Sequence, residues 1–175
     1  MRFLTLVSAP EGLCMSHRHI SLSTCGLVDR IYELADMGLQ ITLSVSLHAS
    51  SDAVRDEIMP VNHRYKIPEL LKACQYYTDK THRRISYEYS LIKGVNDNAG
   101  QAKELAALLH GMLCHVNLIP VNYVEEAGFE KSGKQQVYAF QKVLLDHGIN
   151  ATVRRTLGAD INAACGQLRR TAIQK

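Results

Sequence analysis

Strand-like segments with one polar face alternate with helix-like segments along this chain, and that alternation restricts its fold more than any other feature. Ile41, Leu43, Val45 and Leu47 interleave with Thr42, Ser44, Ser46 and His48, and Ile85, Tyr87, Tyr89 and Leu91 interleave with Ser86, Glu88 and Ser90. A period of two puts each set on its own side of a strand. Between these segments the apolar residues adopt helical spacing instead. Val28, Ile31, Leu34 and Ala35 form one stripe, ended by Gly38, and Ile67, Leu70, Leu71 and Cys74 form a second, with Pro68 near its start. Ala102, Leu105, Ala106 and Leu109 form a third, and Val137, Phe140, Val143 and Leu144 a fourth, closed by Gly148. Strands are expected over 19–25, 41–49, 84–92, 115–121 and 150–155. Strands alternating with helices in this way imply βαβ units and a mostly parallel sheet.

A fully buried parallel strand reads as a continuous apolar run, and these strands do not. One face packs on helices while the other carries hydroxyls, a carboxylate and an imidazole. That pattern suits a barrel or curved sheet with a polar interior and a site near the C-terminal strand ends. The alternative is an antiparallel sheet with one wet face. Five strands are too few to close a barrel, and residues 1–13 form an amphipathic, helix-like run with no strand ahead of it. The expectation is therefore an α/β chain, residues 1–175 as a single domain, forming part of a (β/α) barrel whose N-terminal strands are missing.

With 175 residues, 46% of them hydrophobic and 21% charged, the chain has enough apolar material for a core. Nowhere do 18 apolar residues run together, and the apolar run near Met1 is shorter than the roughly 7–15 residues of a signal-peptide core. A cytoplasmic protein is expected. The five cysteines (Cys14, Cys25, Cys74, Cys114 and Cys165) are scattered and include no CxxC pair, so neighbours cannot build a zinc or iron–sulfur loop. All but Cys165 read as free thiols serving as small core hydrophobes. The net charge of +3 permits a nucleic-acid partner without demanding one.

Six strings occur in the order and approximate spacing of one family. They are Arg18-His19-Ile20-Ser21-Leu22-Ser23-Thr24-Cys25-Gly26, Ser46-Leu47-His48-Ala49, Arg55-Asp56-Glu57-Ile58-Met59-Pro60-Val61-Asn62 and Lys93-Gly94-Val95-Asn96-Asp97. His115-Val116-Asn117-Leu118-Ile119-Pro120-Val121-Asn122 follows, and Asp160-Ile161-Asn162-Ala163-Ala164-Cys165-Gly166-Gln167-Leu168 is the last and most specific. Together they resemble the C-terminal half of radical-SAM RNA methyltransferases of the RlmN/Cfr group, which modify C2 of adenine. Ser50-Ser51 stands where that family often has Pro-Asn. The resemblance implies a radical-SAM barrel, S-adenosylmethionine and a 4Fe–4S cluster as cofactors, ribosomal RNA and tRNA as partners, and a monomer at full length. C2 lies between two ring nitrogens and is too electron-poor to displace a methyl group directly, so a cofactor-borne radical route is needed.

By that resemblance Cys165 carries the methyl group in transit, a role that suits a soft thiolate nucleophile flanked by Ala163, Ala164 and Gly166. Ser23, Ser46, Leu47, His48 and Asn122 match positions that contact S-adenosylmethionine, Leu47 through its backbone. The family's CxxxCxxC loop, its Gly-Glu-Pro strand and its resolving cysteine and base are not among these residues. The chain by itself is thus expected to be inactive.

One rival reading is a non-catalytic module that binds RNA or a partner. Another is a barrel enzyme for a phosphorylated small molecule, which would need a Gly-rich phosphate loop after a late strand. His17-Arg18-His19 lacks a third metal ligand at useful spacing. Glu88 reads equally as a buried polar partner or a site residue. The pairs Arg83-Arg84, Arg154-Arg155 and Arg169-Arg170 read as solvated surface or as phosphate contacts.

Overall fold

The computed structural model describes residues 2–121 and 129–154. Along the chain these form α1 (Arg2–Ser8), β1 (Ser21–Thr24), α2 (Val28–Asp36), β2 (Thr42–Ser46), α3 (Asp52–Ile58), α4 (Ile67–Thr81), β3 (Ile85–Leu91), α5 (Ala99–Leu108), β4 (Cys114–Pro120), α6 (Lys134–Asp146) and β5 (Ala151–Val153). Two 3₁₀ turns, His17–His19 and Pro60–His63, complete the order.

The strands make one sheet in sequential order, β1-β2-β3-β4-β5, and every pairing is parallel. This rules out the antiparallel alternative. Consecutive parallel neighbours require a crossover between each pair, and the intervening helices supply it. Leu43, Val45, Ile85, Tyr87, Tyr89, Leu91, Val116 and Leu118 on the strands are buried in one cluster with Ile31, Leu34, Leu70, Ala73, Leu105 and Phe140 on the helices. The apolar parity of every central strand therefore faces the helix layer. The opposite parity, from Thr42 through Ser46 on β2 and Ser86 through Ser90 on β3, is half-buried on the other side.

Local signals explain the boundaries. Asn98 and Gln101 form a reciprocal capping box at the start of α5. Pro68 occupies the first turn of α4, and His82 ends that helix in the left-handed region at φ 54. Gly38 closes the turn after α2 at φ 63, as its place behind the apolar stripe predicts. Ser51 caps α3 by accepting the Val54 N–H, so Ser50-Ser51 is accommodated as a helix start rather than as a defect. Ser50 Oγ also donates to Glu104 Oε2 at 2.8 Å.

Two expectations are corrected. Among the described residues only Cys74 and Cys114 are core thiols, whereas Cys14 and Cys25 are exposed. Burial pushes the Cys74 thiol up to about 12 and that of Cys114 up to about 11, so both are held as neutral apolar groups. β1 is also shorter than expected, because Ser16 caps a 3₁₀ turn over His17–His19 and delays the strand to Ser21.

Candidate functional site: the polar face and its C-terminal strand ends

Parallel register sorts the polar residues into rows across the sheet. Ser23 of β1 pairs with Ser44 of β2, which pairs with Ser86 of β3 and then His115 of β4. One level nearer the C-terminal strand ends, Ser46 pairs with Glu88, Glu88 with Asn117, and Asn117 with Thr152. Glu88 lies at the centre of this face. Its Oε2 accepts from Asn117 Nδ2 at 2.7 Å and its Oε1 from Ser86 Oγ at 3.3 Å. Among the described residues, the side-chain hydroxyls of Ser23, Ser44, Ser46 and Ser90 have no protein partner, and none of them is a shielded orphan. They are donors and acceptors open to a ligand or to water.

At the end of β2 the backbone changes character. The N–H groups of Leu47 and His48 both donate to Glu88 O, at 3.1 and 3.2 Å. His48 then adopts φ 59, in the left-handed region that costs a residue with a Cβ energy. Asn96, fully buried, holds this turn in place. Its Nδ2 donates to His48 O and Ser90 O, both at 2.7 Å, and its Oδ1 accepts from Ile92 N–H, also at 2.7 Å. Leu47 sends its side chain into the core. Its N–H is committed to Glu88 and its carbonyl accepts from Arg55 Nε at 3.0 Å, so a ligand contact there would use the carbonyl's second lone pair.

His48 Nδ1 accepts the Ser90 N–H at 3.0 Å. A backbone amide can only donate, so Nδ1 is unprotonated and the neutral ring carries its proton on Nε2. Burial, with a smaller contribution from the nearby Arg55 charge, pushes the imidazole down to about 4. The ring is therefore a neutral Nε2–H donor at physiological pH.

This has a stability consequence. Between pH 4 and about 6.5 the unfolded chain binds a proton at His48 that the folded chain refuses, so stability rises with pH across that window. The contribution, on the order of 3 kcal/mol, is complete above about pH 6.5 and lost as pH falls through 4. His48→Asn tolerates the left-handed backbone and keeps an acceptor, but does not titrate. Urea unfolding at several pH values should show a shallower pH dependence for His48→Asn than for the parent chain. Equal slopes would remove His48 as the source.

Arg55 is the main structural group beneath the site, and its side chain is fully buried although no hydrophobic periodicity marks it. Nε donates to Leu47 O, Nη2 to Cys25 O at 3.0 Å and Ser46 O at 3.1 Å, and Nη1 to Asn62 Oδ1 at 2.8 Å and Tyr65 O at 3.4 Å. One guanidinium thus ties the C-terminal ends of β1 and β2 together. Asn62 Nδ2 passes the contact on to Asp52 Oδ1 at 3.1 Å and Asp56 Oδ1 at 2.7 Å, and Lys66 Nζ holds Asp56 at 2.8 Å. Hydrogen bonds from Lys66 and then Asn62 hold the Asp56 carboxyl below the usual carboxylate range. The string Arg55 to Asn62 is therefore a built scaffold. Gly26 completes it at φ 104, because a Cβ there would lie 3.1 Å from a Leu70 methyl carbon and 3.2 Å from Arg55 Nη2.

Of the expected site residues, Ser46, Leu47 and His48 form one continuous strand end, and Ser23 lies exposed on the neighbouring strand, one level below Ser46. Asn122 and Cys165 lie outside the described residues. Among the described residues, no group of three or more His, Cys, Asp or Glu side chains could hold a metal ion.

No protein-family model matches the chain. A probable dual-specificity RNA methyltransferase RlmN of Thermoanaerobacter sp. (strain X514) is 54% identical over 175 residues, all of this chain and 51% of the relative. Its counterpart in Clostridium botulinum (strain Eklund 17B / Type B) is 57% identical over 174 residues, 99% of this chain and 50% of the relative. Along its whole length the chain is similar to one half of RlmN proteins. It spans about half the length of the curated relatives it matches. The crystal structure of a radical SAM methyltransferase from Sphaerobacter thermophilus superposes at a TM-score of 0.91 with 47% identity, covering 95% of this chain and 49% of that one. A domain of pyruvate-formate lyase-activating enzyme from Bacteroides vulgatus shares the fold alone, at a TM-score of 0.60 and 19% identity over 77% of this chain and 80% of that one. The five-stranded parallel sheet is thus an arc of a radical-SAM (β/α) barrel, and its polar parity is the barrel's inner face.

The family implies two cofactors, and the described residues fit them unequally. Open hydroxyls at Ser23 and Ser46, the neutral donor at His48 and the Glu88 carboxylate together suit a ligand with ribose hydroxyls and an ammonium group. Four cysteines, two of them buried and protonated, do not make a cluster cradle, and no step is assigned through one.

Proposed function

We propose that residues 1–175 form one domain that supplies the S-adenosylmethionine-facing wall of a cytoplasmic RNA methyltransferase acting at C2 of adenine in ribosomal RNA and tRNA. The observation that carries this reading is a face of unpartnered hydroxyls, a neutral imidazole donor and a central carboxylate, in a chain 54% identical along its whole length to a named RlmN protein. When bound, S-adenosylmethionine would supply the methyl group and the radical that activates it. Ser23, Ser46 and His48 Nε2–H would orient that cofactor, with Leu47 O as a further acceptor and Asn122, two residues after β4 in the sequence, as a further contact. Cys165 would carry the methyl group as a thioether, its thiolate attacking a sulfonium methyl in a displacement that leaves a neutral sulfide. The Arg55 and Asn96 networks would bind nothing themselves. Their work is to fix the strand ends so that the orienting groups are placed before the cofactor arrives.

In this reading the chain alone does not methylate, because cluster ligation is left to residues outside it. Purified chain, reconstituted anaerobically with iron and sulfide, should retain no stoichiometric 4Fe–4S cluster and should leave adenine in RNA unmodified. Iron analysis and mass spectrometry of digested RNA read both. A stoichiometric cluster accompanied by methylated adenine would overturn the division of labour proposed here.

A further inference from the structure

The N-terminal ends of the strands carry a second concavity that the methyltransferase reading does not use. It has a volume of about 380 Å³ and is lined by Thr42, His82, Arg83, Arg84 and Leu113. Six residues separate Thr42 from His48 along β2 and its end, so this cavity lies about 20 Å from the cofactor-facing strand ends. We propose that it is an oxyanion pocket that takes a phosphate group, with Arg83 and Arg84 as its cations and Thr42 as a hydroxyl donor.

The argument begins with the turn after α4. His82 reverses the chain at φ 54, with its N–H donating to Thr78 O at 2.8 Å, and delivers two consecutive arginines to the rim of the sheet. Arg83 is half-buried. Its Nη2 donates to Thr42 Oγ1 at 3.0 Å, while its Nε is shielded from solvent and has no acceptor among the described residues. A shielded, charged N–H without an acceptor is costly and uncommon in native proteins. Arg84 is exposed and has no carboxylate partner among the described residues. The ion pairs among the described residues all lie elsewhere, on Arg30, His63, Arg64, Lys66, Lys93 and Lys142. Among the described residues no acidic side chain lines the cavity, so no carboxylate among them offsets its positive charge there. The Arg84 charge reaches inward as well: burial first, and then Arg84, hold the His115 imidazole below the usual histidine range.

Two planar guanidinium forks and a hydroxyl at one rim offer more donors than the two oxygens of a carboxylate can engage, and a tetrahedral oxyanion supplies further acceptor oxygens for them. The phosphate group has two sources, a free ion or a phosphodiester in RNA. The exposed Leu113 side chain adds an apolar surface to the rim of the cavity. The inference does not rest on the methyltransferase reading, since inorganic phosphate probes it directly.

The test is a titration of the ¹⁵N-labelled chain with sodium phosphate at constant ionic strength, following the arginine Nε–H resonances by NMR. The Arg83 Nε–H signal should shift saturably with phosphate and stay in place when chloride replaces it. Arg84→Gln, at an exposed position that cannot compromise the core, should weaken the apparent affinity about tenfold, and Arg83→Gln should do at least as much. Short single-stranded RNA is then added to the phosphate-saturated protein. Displacement of phosphate assigns the pocket to a phosphodiester, and RNA that leaves phosphate in place assigns it to the free ion; both support the pocket. Absence of a saturable shift would overturn it. So would an equal response to acetate, or an Arg84→Gln variant that titrates like the parent.

Discussion

Arg55→Met should destabilise the protein by about 3–5 kcal/mol, the expected cost of removing one side of a buried charged network. The methionine fills similar volume, so the loss is not a cavity effect. It leaves the carbonyls of Cys25, Ser46 and Leu47 and the Oδ1 of Asn62 without the donors that now reach them. Against a total stability of roughly 5–15 kcal/mol for a domain, that is enough to leave a substantial fraction unfolded. Arg55→Lys should recover little of it. An ammonium is a point donor on a flexible stem and cannot span carbonyls on two strands and a loop at once. Urea unfolding followed by circular dichroism measures both variants against the parent chain. A loss below about 1 kcal/mol for Arg55→Met would mean that water replaces the guanidinium and that the strand ends do not depend on it.

The same residue marks the limit of what sequence can reveal. The parallel sheet was legible because Thr42 to His48 and Ser86 to Ser90 alternate with a period of two while the intervening stripes repeat at helical spacing. α2, α4, α5 and α6 fall where those stripes predict them. α3 was not legible, since it is only seven residues long and its one fully buried residue is an arginine. Hydrophobic periodicity has nothing to detect there. The string from Arg55 to Asn62 was visible as a family signature, but its purpose emerges only when strand ends distant in sequence converge on one guanidinium.

The candidate site divides in the same way. Ser46 could be assigned to the polar parity from alternation alone, and that is where it lies, whereas His48 stands past the strand with its Nδ1 accepting the Ser90 N–H. β2 ends at Ser46, short of the Ala49 to which alternation extends it. The amides of Leu47 and His48 share a single acceptor, Glu88 O, and the chain then turns left-handed. Glu88 could not be resolved from sequence, although its parity with Ser86 and Ser90 was the available signal. Its place at the sheet's centre follows from cross-strand register with Ser46 and Asn117, which no single segment encodes.

The central claim concerns a methyl group relayed through one sulfur, and a chimera tests it most directly. This chain would replace the matching half of the Thermoanaerobacter relative, with which it shares 54% identity over 175 residues. The anaerobically reconstituted chimera would be given ribosomal RNA and S-adenosylmethionine, and digested RNA would be analysed for C2-methyladenine by mass spectrometry. The parent chimera should form product, and Cys165→Ala should lower the yield at least about a hundredfold, the scale expected when a covalent relay is removed. Equal product from the Cys165→Ala chimera would contradict the account.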